Sequence, residues 1–191
     1  MKLRIVAGKY RGRYITAKGQ SEKFRPTLER NRRAVADTLQ PFLAGARVGD
    51  FCAGCGAMGF EFLSRGAKEV VFVENNRSRV QCIRDQCRKW DIQGSCRIIS
   101  SDIRSFVKKC PDRFGVIYFD PPYDSEELAS LVPEIMSLLH PEGILVYERR
   151  RMKGEKKSTQ TREKNLIKRK ISGDSVMEFY KNNNMSLFEE Q

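Results

Sequence analysis

From residue 47 onwards, short apolar runs alternate with longer amphipathic stretches. The runs predict five strands, and the stretches between them predict four helices. The predicted strands are 48–52, 70–74, 96–100, 116–120 and 144–148, and the predicted helices are 56–65, 77–90, 102–109 and 125–139. Because strand and helix alternate strictly, the pattern predicts an α/β fold with a mostly parallel sheet that carries helices on both faces.

The two ends of the chain are each predicted to add a hairpin. Apolar runs at 3–6 and 14–16 flank a turn that contains Gly8 and Gly12, and runs at 166–171 and 176–180 flank a Gly-Asp turn at 173–174. The second hairpin would bring the sheet to seven strands. We expect an N-terminal β-hairpin extension over 1–27, one α/β domain over 28–181 and a tail over 182–191.

Between the first hairpin and the sheet, residues 28–40 have a helix-forming composition. Ala34, Val35 and Leu39 are spaced to form one buried face, which places the neighbouring arginines 30, 32 and 33 on the outer side. The sequence therefore predicts a basic outer surface on this helix.

Positive charge is concentrated in two stretches of a chain whose formal net charge is +12. Residues 1–33 and 149–170 each hold eleven Lys or Arg against two acids, and the remainder is net acidic. This distribution favours a polyanionic partner, whose counterions are released on binding, over two solvated basic loops. The candidate nucleic-acid contacts are Lys9, Arg11, Arg13, Arg25, Arg30 and Arg32, and the stretch 149–170 is a second candidate phosphate-binding surface.

Membrane, secretory and metal-binding classes are not indicated. The chain lacks the ~18 unbroken apolar residues of a membrane span, and charges interrupt its first nine residues, so we expect a cytoplasmic protein. Its six cysteines are then expected to remain thiols. Cys52 and Cys55 have the spacing of half a metal site, but there is no second pair and His140 is the single histidine, so no metal is expected.

A glycine-rich loop follows the first strand of the predicted sheet. Gly54, Gly56 and Gly59 form G-x-G-x-x-G at the start of a helix, where a nucleotide can approach the backbone. Dinucleotide enzymes share this pattern, so alone it is a weak signal. Glu74 ends the next strand, 24 residues after Asp50, and is placed to accept hydrogen bonds from both hydroxyls of a ribose.

Two acids favour S-adenosylmethionine as the cofactor over a dinucleotide. Asp50 places a carboxylate beside Ala53 and the glycines, where it would repel a pyrophosphate but suit the cationic amino-acid end of S-adenosylmethionine. Asp102 follows the third strand, where a side chain can meet the adenine amino group. The alternatives are that Asp50 caps the turn and that Asp102 caps a helix.

The tetrapeptide Asp120, Pro121, Pro122 and Tyr123 ends the fourth strand at the same edge of the sheet. An exocyclic base amine is a poor nucleophile because its lone pair is delocalised into the ring. The Asp120 carboxylate and the Pro121 carbonyl can each accept one N–H and leave the lone pair for attack, while Tyr123 can stack on the extruded base. The alternative is a Pro-rich turn that Asp120 caps.

These motifs resemble the RsmD family of bacterial 16S rRNA guanine-N2 methyltransferases. The likeness runs from residues 4–13 through 25–27, Arg30 and Arg32 to the glycine loop, Glu74, the tetrapeptide and the turn at 173–174. It implies a Rossmann-like class I methyltransferase fold, S-adenosylmethionine bound by Asp50, Gly54, Gly56 and Glu74, catalysis at residues 120–123, and 16S rRNA or an assembling small ribosomal subunit as the partner. Cys52, Cys55 and Arg33 depart from the family pattern.

Three other functions compete with this interpretation. An adenine-N6 DNA methyltransferase uses the same tetrapeptide, but we expect no room here for a region that reads bases in the major groove. A nicotinamide-dependent oxidoreductase explains the glycines but not the tetrapeptide or the basic ends. A non-catalytic RNA-binding module explains the charge but leaves Glu74 and Asp120 without a use.

Overall fold

The computed structural model describes residues 2–16, 29–122, 126–155 and 165–183. The strands there are β1 (Lys2–Arg4), β2 (Tyr14–Thr16), β3 (Arg47–Phe51), β4 (Glu69–Glu74), β5 (Cys96–Ser100), β6 (Phe114–Phe119), β7 (Leu139–Arg150), β8 (Leu166–Ser172) and β9 (Ser175–Lys181). The α-helices are α1 (Glu29–Leu43), α2 (Ala57–Ser64), α3 (Arg77–Trp90), α4 (Ile103–Lys109), α5 (Glu126–Ala129) and α6 (Val132–Met136).

Seven strands form one sheet in the order β5-β4-β3-β6-β7-β9-β8. The first five are parallel, and β9 and β8 are antiparallel, which confirms the predicted mostly parallel sheet with a closing hairpin. The strand order reverses beside β3, which pairs with β4 on one side and β6 on the other. A ligand crevice is expected outside the carboxyl ends of strands at such a switch point.

Both faces of the sheet are covered, and β4 shows why its sequence is continuously apolar. Val70 and Phe72 belong to the cluster under α1, α2 and α3, whereas Val71 and Val73 belong to the cluster under α4 and α6. All four side chains are at most 1% exposed. Helices therefore lie on both faces, as the alternation predicts.

The stretch 125–139 differs from its prediction. Two short helices, α5 and α6, replace the single helix, and Pro133 stands in the first turn of α6, where its missing N–H costs nothing. β7 contains an irregularity around His140, because Phe114 pairs with Leu139 while Val116 pairs with Ile144.

The N-terminal hairpin of β1 and β2 docks on α2 through a buried carboxylate. Glu61 accepts hydrogen bonds from Val6 N at 2.9 Å and Ala7 N at 3.1 Å, and its third donor is Arg65 Nε at 2.9 Å. Lys9 N donates to the carbonyl of Ser64 at 2.7 Å. These contacts, which we call the docking seam, hold the hairpin turn against the last turn of α2.

The docking seam also fixes how far the hairpin turn lies from the carboxyl edge of the sheet. A helix that connects parallel strands runs antiparallel to them, so α2 begins at the carboxyl edge of the sheet and ends at the opposite edge. Its eight residues rise about 12 Å. The hairpin turn, bound at Ser64, therefore lies about that far from the carboxyl edge. No helix among the described residues is long and apolar enough to cross a bilayer.

Candidate cofactor and catalytic site

The glycine loop makes a sharp turn from β3 into α2. Gly56 is the residue before α2 and has a left-handed backbone with φ of 76°, as does Gly54 with φ of 57°. At Gly59 a Cβ atom would lie 2.2 Å from Phe72 Cε1, so a glycine is what lets α2 pack directly on β4. The first two glycines serve the turn, and the third serves the packing.

Glu74 ties this loop to the end of β4. One carboxylate oxygen accepts from Gly54 N at 2.8 Å, and the other accepts from Asn76 N at 2.9 Å. The side chain is 4% exposed, and Arg79 Nη1 lies 3.8 Å from it. A carboxylate has about four acceptor positions, so the two backbone bonds are compatible with further bonds from ribose hydroxyls.

Asp50 is buried at the end of β3, behind the loop. Its Oδ2 accepts from Gly59 N at 2.8 Å, and the residue is 2% exposed. Burial raises the pKa of the Asp50 carboxyl to about 7, opposed by the Gly59 hydrogen bond and assisted by the negative charge of Glu74. A ligand cation beside Asp50 would favour its ionised form.

Asp120 lies next to the glycine loop across the switch point. Its N–H donates to the carbonyl of Phe51, the last residue of β3, at 3.3 Å. Pro121 is buried and Pro122 is exposed. The structure thus brings residues 120–122 and the loop to one edge, while Tyr123 lies outside the described residues.

The Cys52 thiol shows how acidic this edge is. Burial, followed by the charges of Glu74, Asp120, Asp50 and Asp102, raises the pKa of Cys52 far above its usual range. Each of these carboxylates comes from a different part of the sheet edge. We call the four of them the carboxylate rim.

Asp102 has a structural task within the rim. It is exposed, and its Oδ1 accepts from Arg104 N at 3.0 Å and Ser105 N at 3.3 Å, which caps α4. This is the helix-capping alternative raised by the sequence. Contact with an adenine amino group stays a prediction.

Of the predicted nucleic-acid contacts, Lys9, Arg11 and Arg13 are exposed on the hairpin, and Arg30 is exposed on α1. Arg25 lies outside the described residues. The prediction for Arg32 is wrong. Arg32 is 2% exposed, and its Nη2 donates to the carbonyl of Arg4 at 2.9 Å. The hairpin covers the side of α1 that the spacing of apolar residues predicts to face solvent.

The basic stretch 149–170 is also partly structural. Arg149 and Arg169 each donate to Glu178 at 2.7 Å, and Arg149 also pairs with Glu155 at 2.7 Å. Lys170 Nζ donates to the carbonyl of Ala34 and so joins β8 to α1. Arg149, Arg169 and Lys170 therefore bind partners within the protein, which contradicts a phosphate-binding role for them.

Glu61 is an important structural side chain that the sequence analysis does not identify. It is fully buried in α2 between Phe60 and Phe62, and the docking seam depends on it. A detectable signal existed, since a charged residue in the middle of an apolar helix requires buried donors.

Comparisons with known proteins agree with this geometry. The sequence model of the RsmD family, described as "Conserved hypothetical protein 95", matches residues 3–181. The chain is 28% identical over 186 residues to Ribosomal RNA small subunit methyltransferase D of Haemophilus influenzae, with 94% of each chain covered. It is 30% identical over 146 residues to the Escherichia coli K12 protein of that name, covering 76% of this chain and 71% of the relative.

The fold agrees as well. The solved structure of YhhF from Escherichia coli, a candidate methyltransferase, superposes with a TM-score of 0.82 at 25% identity and covers 97% of this chain and 100% of its own. The seven-stranded sheet and its helices are those of a Rossmann-like class I methyltransferase, to which the N-terminal hairpin is added as an extension. The chain belongs to the RsmD family.

Proposed function

We propose that this protein transfers the methyl group of S-adenosylmethionine to the exocyclic N2 amine of a guanine in small-subunit rRNA. The observation that carries the proposal is the carboxylate rim at the switch point. A pyrophosphate would be repelled there, whereas a ligand with an ammonium group and a sulfonium would be attracted. The same observation disfavours a nicotinamide dinucleotide.

The described residues fit S-adenosylmethionine, which supplies a methyl group on a cationic sulfur when bound. Asp50 would face its ammonium group, Glu74 its ribose hydroxyls and Asp102 its adenine. The backbone of Ala53 and Gly54 would line the loop against it. Because Asp50 is buried with a raised pKa, binding of the cation would also relieve the cost of its ionised form.

Asp120 and Pro121 would orient the amine that receives the methyl group. The carboxylate and the Pro121 carbonyl each accept one N–H, which directs the nitrogen lone pair away from the ring. Tyr123 would stack on the base. Once methylated the nitrogen is cationic and loses a proton to water readily, so no separate general base is required.

The RNA assignment is supported by the family and by the charge distribution. Both curated relatives are named as small-subunit rRNA methyltransferases. The exposed cations Lys9, Arg11, Arg13 and Arg30 offer phosphate contacts outside the acidic rim. We propose 16S rRNA, free or within an assembling small subunit, as the partner.

The test incubates the protein and methyl-labelled S-adenosylmethionine with deproteinised 16S rRNA, with small subunits and with DNA in parallel. Nucleoside analysis should recover labelled N2-methylguanosine from at least one of the two rRNA-containing samples. Labelled N6-methyladenine in DNA would establish the adenine-N6 DNA methyltransferase instead, and no label in any nucleic acid would remove the proposal.

Asp120→Ala tests the catalytic assignment. It should lower the single-turnover rate by at least about 100-fold, because the amine is no longer oriented, while S-adenosylhomocysteine still binds. Asp85→Ala is the control, since Asp85 is an exposed carboxylate on α3 with its side chain 61% exposed. Equal rates for Asp120→Ala and the control would exclude Asp120 from the mechanism.

A further inference from the structure

The outer face of the N-terminal hairpin carries an aromatic side chain among cations. Arg4 pairs with Tyr14 and Lys2 pairs with Thr16 across the two strands. Side chains at these positions share one face of the hairpin, because alternate residues of a strand point to opposite sides. Ile15, between them, is 1% exposed on the inner side, whereas Tyr14 is 50% exposed.

The exposure of Tyr14 is informative because positively charged side chains lie beside it. Directly opposed residues of an antiparallel pair have Cβ atoms about 5 Å apart, so the Arg4 side chain starts beside the Tyr14 ring. Lys2 and Arg4 are both exposed on this face. The surface therefore presents a half-exposed tyrosine beside two positively charged side chains.

The hairpin beneath Tyr14 is held firmly on the domain. Tyr10 stacks on Trp90 of α3 with ring centroids 5.4 Å apart, and the Arg13 guanidinium lies 5.2 Å from the Tyr10 centroid. Thr16 N donates to Gln86 Oε1 at 3.2 Å. A platform that is already ordered loses little conformational entropy when a ligand binds to it.

We infer that Tyr14 is a stacking platform for an unpaired RNA base, with Lys2 and Arg4 binding the adjoining phosphates. The inference rests on the proposed function and extends it to a second RNA site. Stacking on an aromatic ring is how proteins hold single-stranded nucleotides without reading their sequence, and cations around the ring select a polyanion. An uncharged protein partner would gain nothing from the arginine and lysine.

The nucleotide on Tyr14 is different from the methylated one. Thr16, two residues after Tyr14, is bound to Gln86, which lies nine residues along α3 and so about 14 Å from the carboxyl edge where Asp120 lies. The RNA would therefore be held at two points, the target base at the carboxylate rim and an unpaired nucleotide on the hairpin.

The experiment measures binding of the full-length protein to a fluorescent 12-nucleotide single-stranded RNA of mixed sequence and to the same sequence as a duplex. Tyr14→Ala should weaken single-strand binding about tenfold and leave duplex binding unchanged, because only unpaired bases can stack. Tyr14→Trp should restore the affinity. Phe42→Ala is the matched control, since Phe42 is a 41% exposed aromatic at the far end of α1.

Salt dependence separates stacking from charge. Tyr14→Ala should keep the slope of log affinity against log salt, whereas Arg4→Gln should reduce it by about 0.7, the value for one phosphate of a single strand. Melting temperatures of all variants confirm folding. Equal single-strand affinities of Tyr14→Ala and wild type, or full rescue by Tyr14→Leu, would overturn the inference.

The failures of the two proposals are distinguishable. Absence of labelled N2-methylguanosine with the wild-type protein overturns the proposed function. Normal methyl transfer by wild type, together with unchanged single-strand binding by Tyr14→Ala, overturns the stacking platform alone.

Discussion

Two buried carboxylates, Glu61 of α2 and Asp50 of β3, differ in the number of hydrogen-bond donors that face them. In the docking seam, Glu61 receives two backbone N–H groups and the Arg65 guanidinium. At the carboxylate rim, Asp50 accepts one hydrogen bond among the described residues, from Gly59 N, and has the negatively charged Glu74 nearby. Both are at most 2% exposed.

The difference separates a structural acid from a ligand-binding acid. A buried carboxylate with three donors, one of them charged, stabilises the fold without further partners. A buried carboxylate with one donor and a like charge nearby is costly when ionised and gains most from an incoming cation. The comparison predicts that Glu61 is required for folding and Asp50 for cofactor binding.

The largest expected effect is that of Glu61→Gln. An amide keeps the shape but loses the charge that faces Arg65 and presents N–H groups to the Val6 and Ala7 donors. The free energy of unfolding should fall by about 3–5 kcal/mol, as for other broken buried ion pairs, measured by urea denaturation. The exposed Glu134→Gln on α6 is the control. A loss below about 1 kcal/mol would show that the seam does not depend on this charge.

Asp50→Asn should have the opposite effect on the ligand-free protein. Its folded-state pKa of about 7 lies above the ordinary value of 3.8, so the unfolded chain releases this proton first as pH rises. The stability that the protonated form contributes is present below about pH 4 and is lost as pH rises to about 7.

Asparagine at this position cannot ionise, so the variant does not lose that stability as the pH rises. Its side-chain oxygen still accepts a hydrogen bond from Gly59 N. At pH 8 the variant should be more stable than wild type by something on the order of 4 kcal/mol, and at pH 4 the two should be similar. Urea denaturation at both pH values measures the difference. Equal stability at pH 8 would mean that Asp50 ionises without cost.

Gly59→Ala is expected to have an effect of intermediate size. The added Cβ would meet the Phe72 ring at 2.2 Å and Asp50 Oδ2 at 2.9 Å, and such overpacking costs about 1–3 kcal/mol. Thermal unfolding should show this loss, together with weaker S-adenosylhomocysteine binding. Gly94→Ala, which places its Cβ in open space, should show neither. Equal behaviour of the two variants would contradict the proposed close packing.

The smallest expected effect is the pH dependence of cofactor affinity. If the cationic end of the ligand needs ionised Asp50, S-adenosylhomocysteine affinity should fall up to tenfold per pH unit below about 7, because its ammonium group remains while the carboxylate is protonated. Calorimetry between pH 5.5 and 8.5 measures the profile. Asp50→Asn should bind weakly with a flat profile over the same interval. A wild-type profile as flat as that of the variant would separate Asp50 from the ligand.

Much of the fold follows from local pattern. The alternation of apolar runs predicts the five parallel strands, and the turn at 173–174 predicts the closing hairpin. β4, which is covered on both faces, has the continuous hydrophobic run expected of a central parallel strand. The single helix over 125–139 was a wrong prediction because the tertiary pairing of Leu139 with Phe114 starts β7 early.

Site residues could be predicted where carboxylate side chains stand at or near the carboxyl ends of predicted strands. Glu74 and Asp120 are identifiable because each ends a predicted strand, and Asp50 because it lies just before the glycine loop; parallel strands end at one edge of the sheet. Arg32 was misplaced and Glu61 was missed for one reason. Both contact the N-terminal hairpin, and a helix pattern does not identify which distant segment packs on the helix, even where a buried charge such as Glu61 signals that donors are needed.

The docking seam has a consequence for synthesis on the ribosome. Residues 2–16 are translated before their partners, which extend to Gln86 and Trp90. At about 5–20 residues per second, the nascent hairpin waits roughly 4–15 s before those partners have been polymerised. During that interval its arginines and lysines are exposed beside the ribosome's own RNA, so early folding of this enzyme takes place next to the kind of polymer it is proposed to modify.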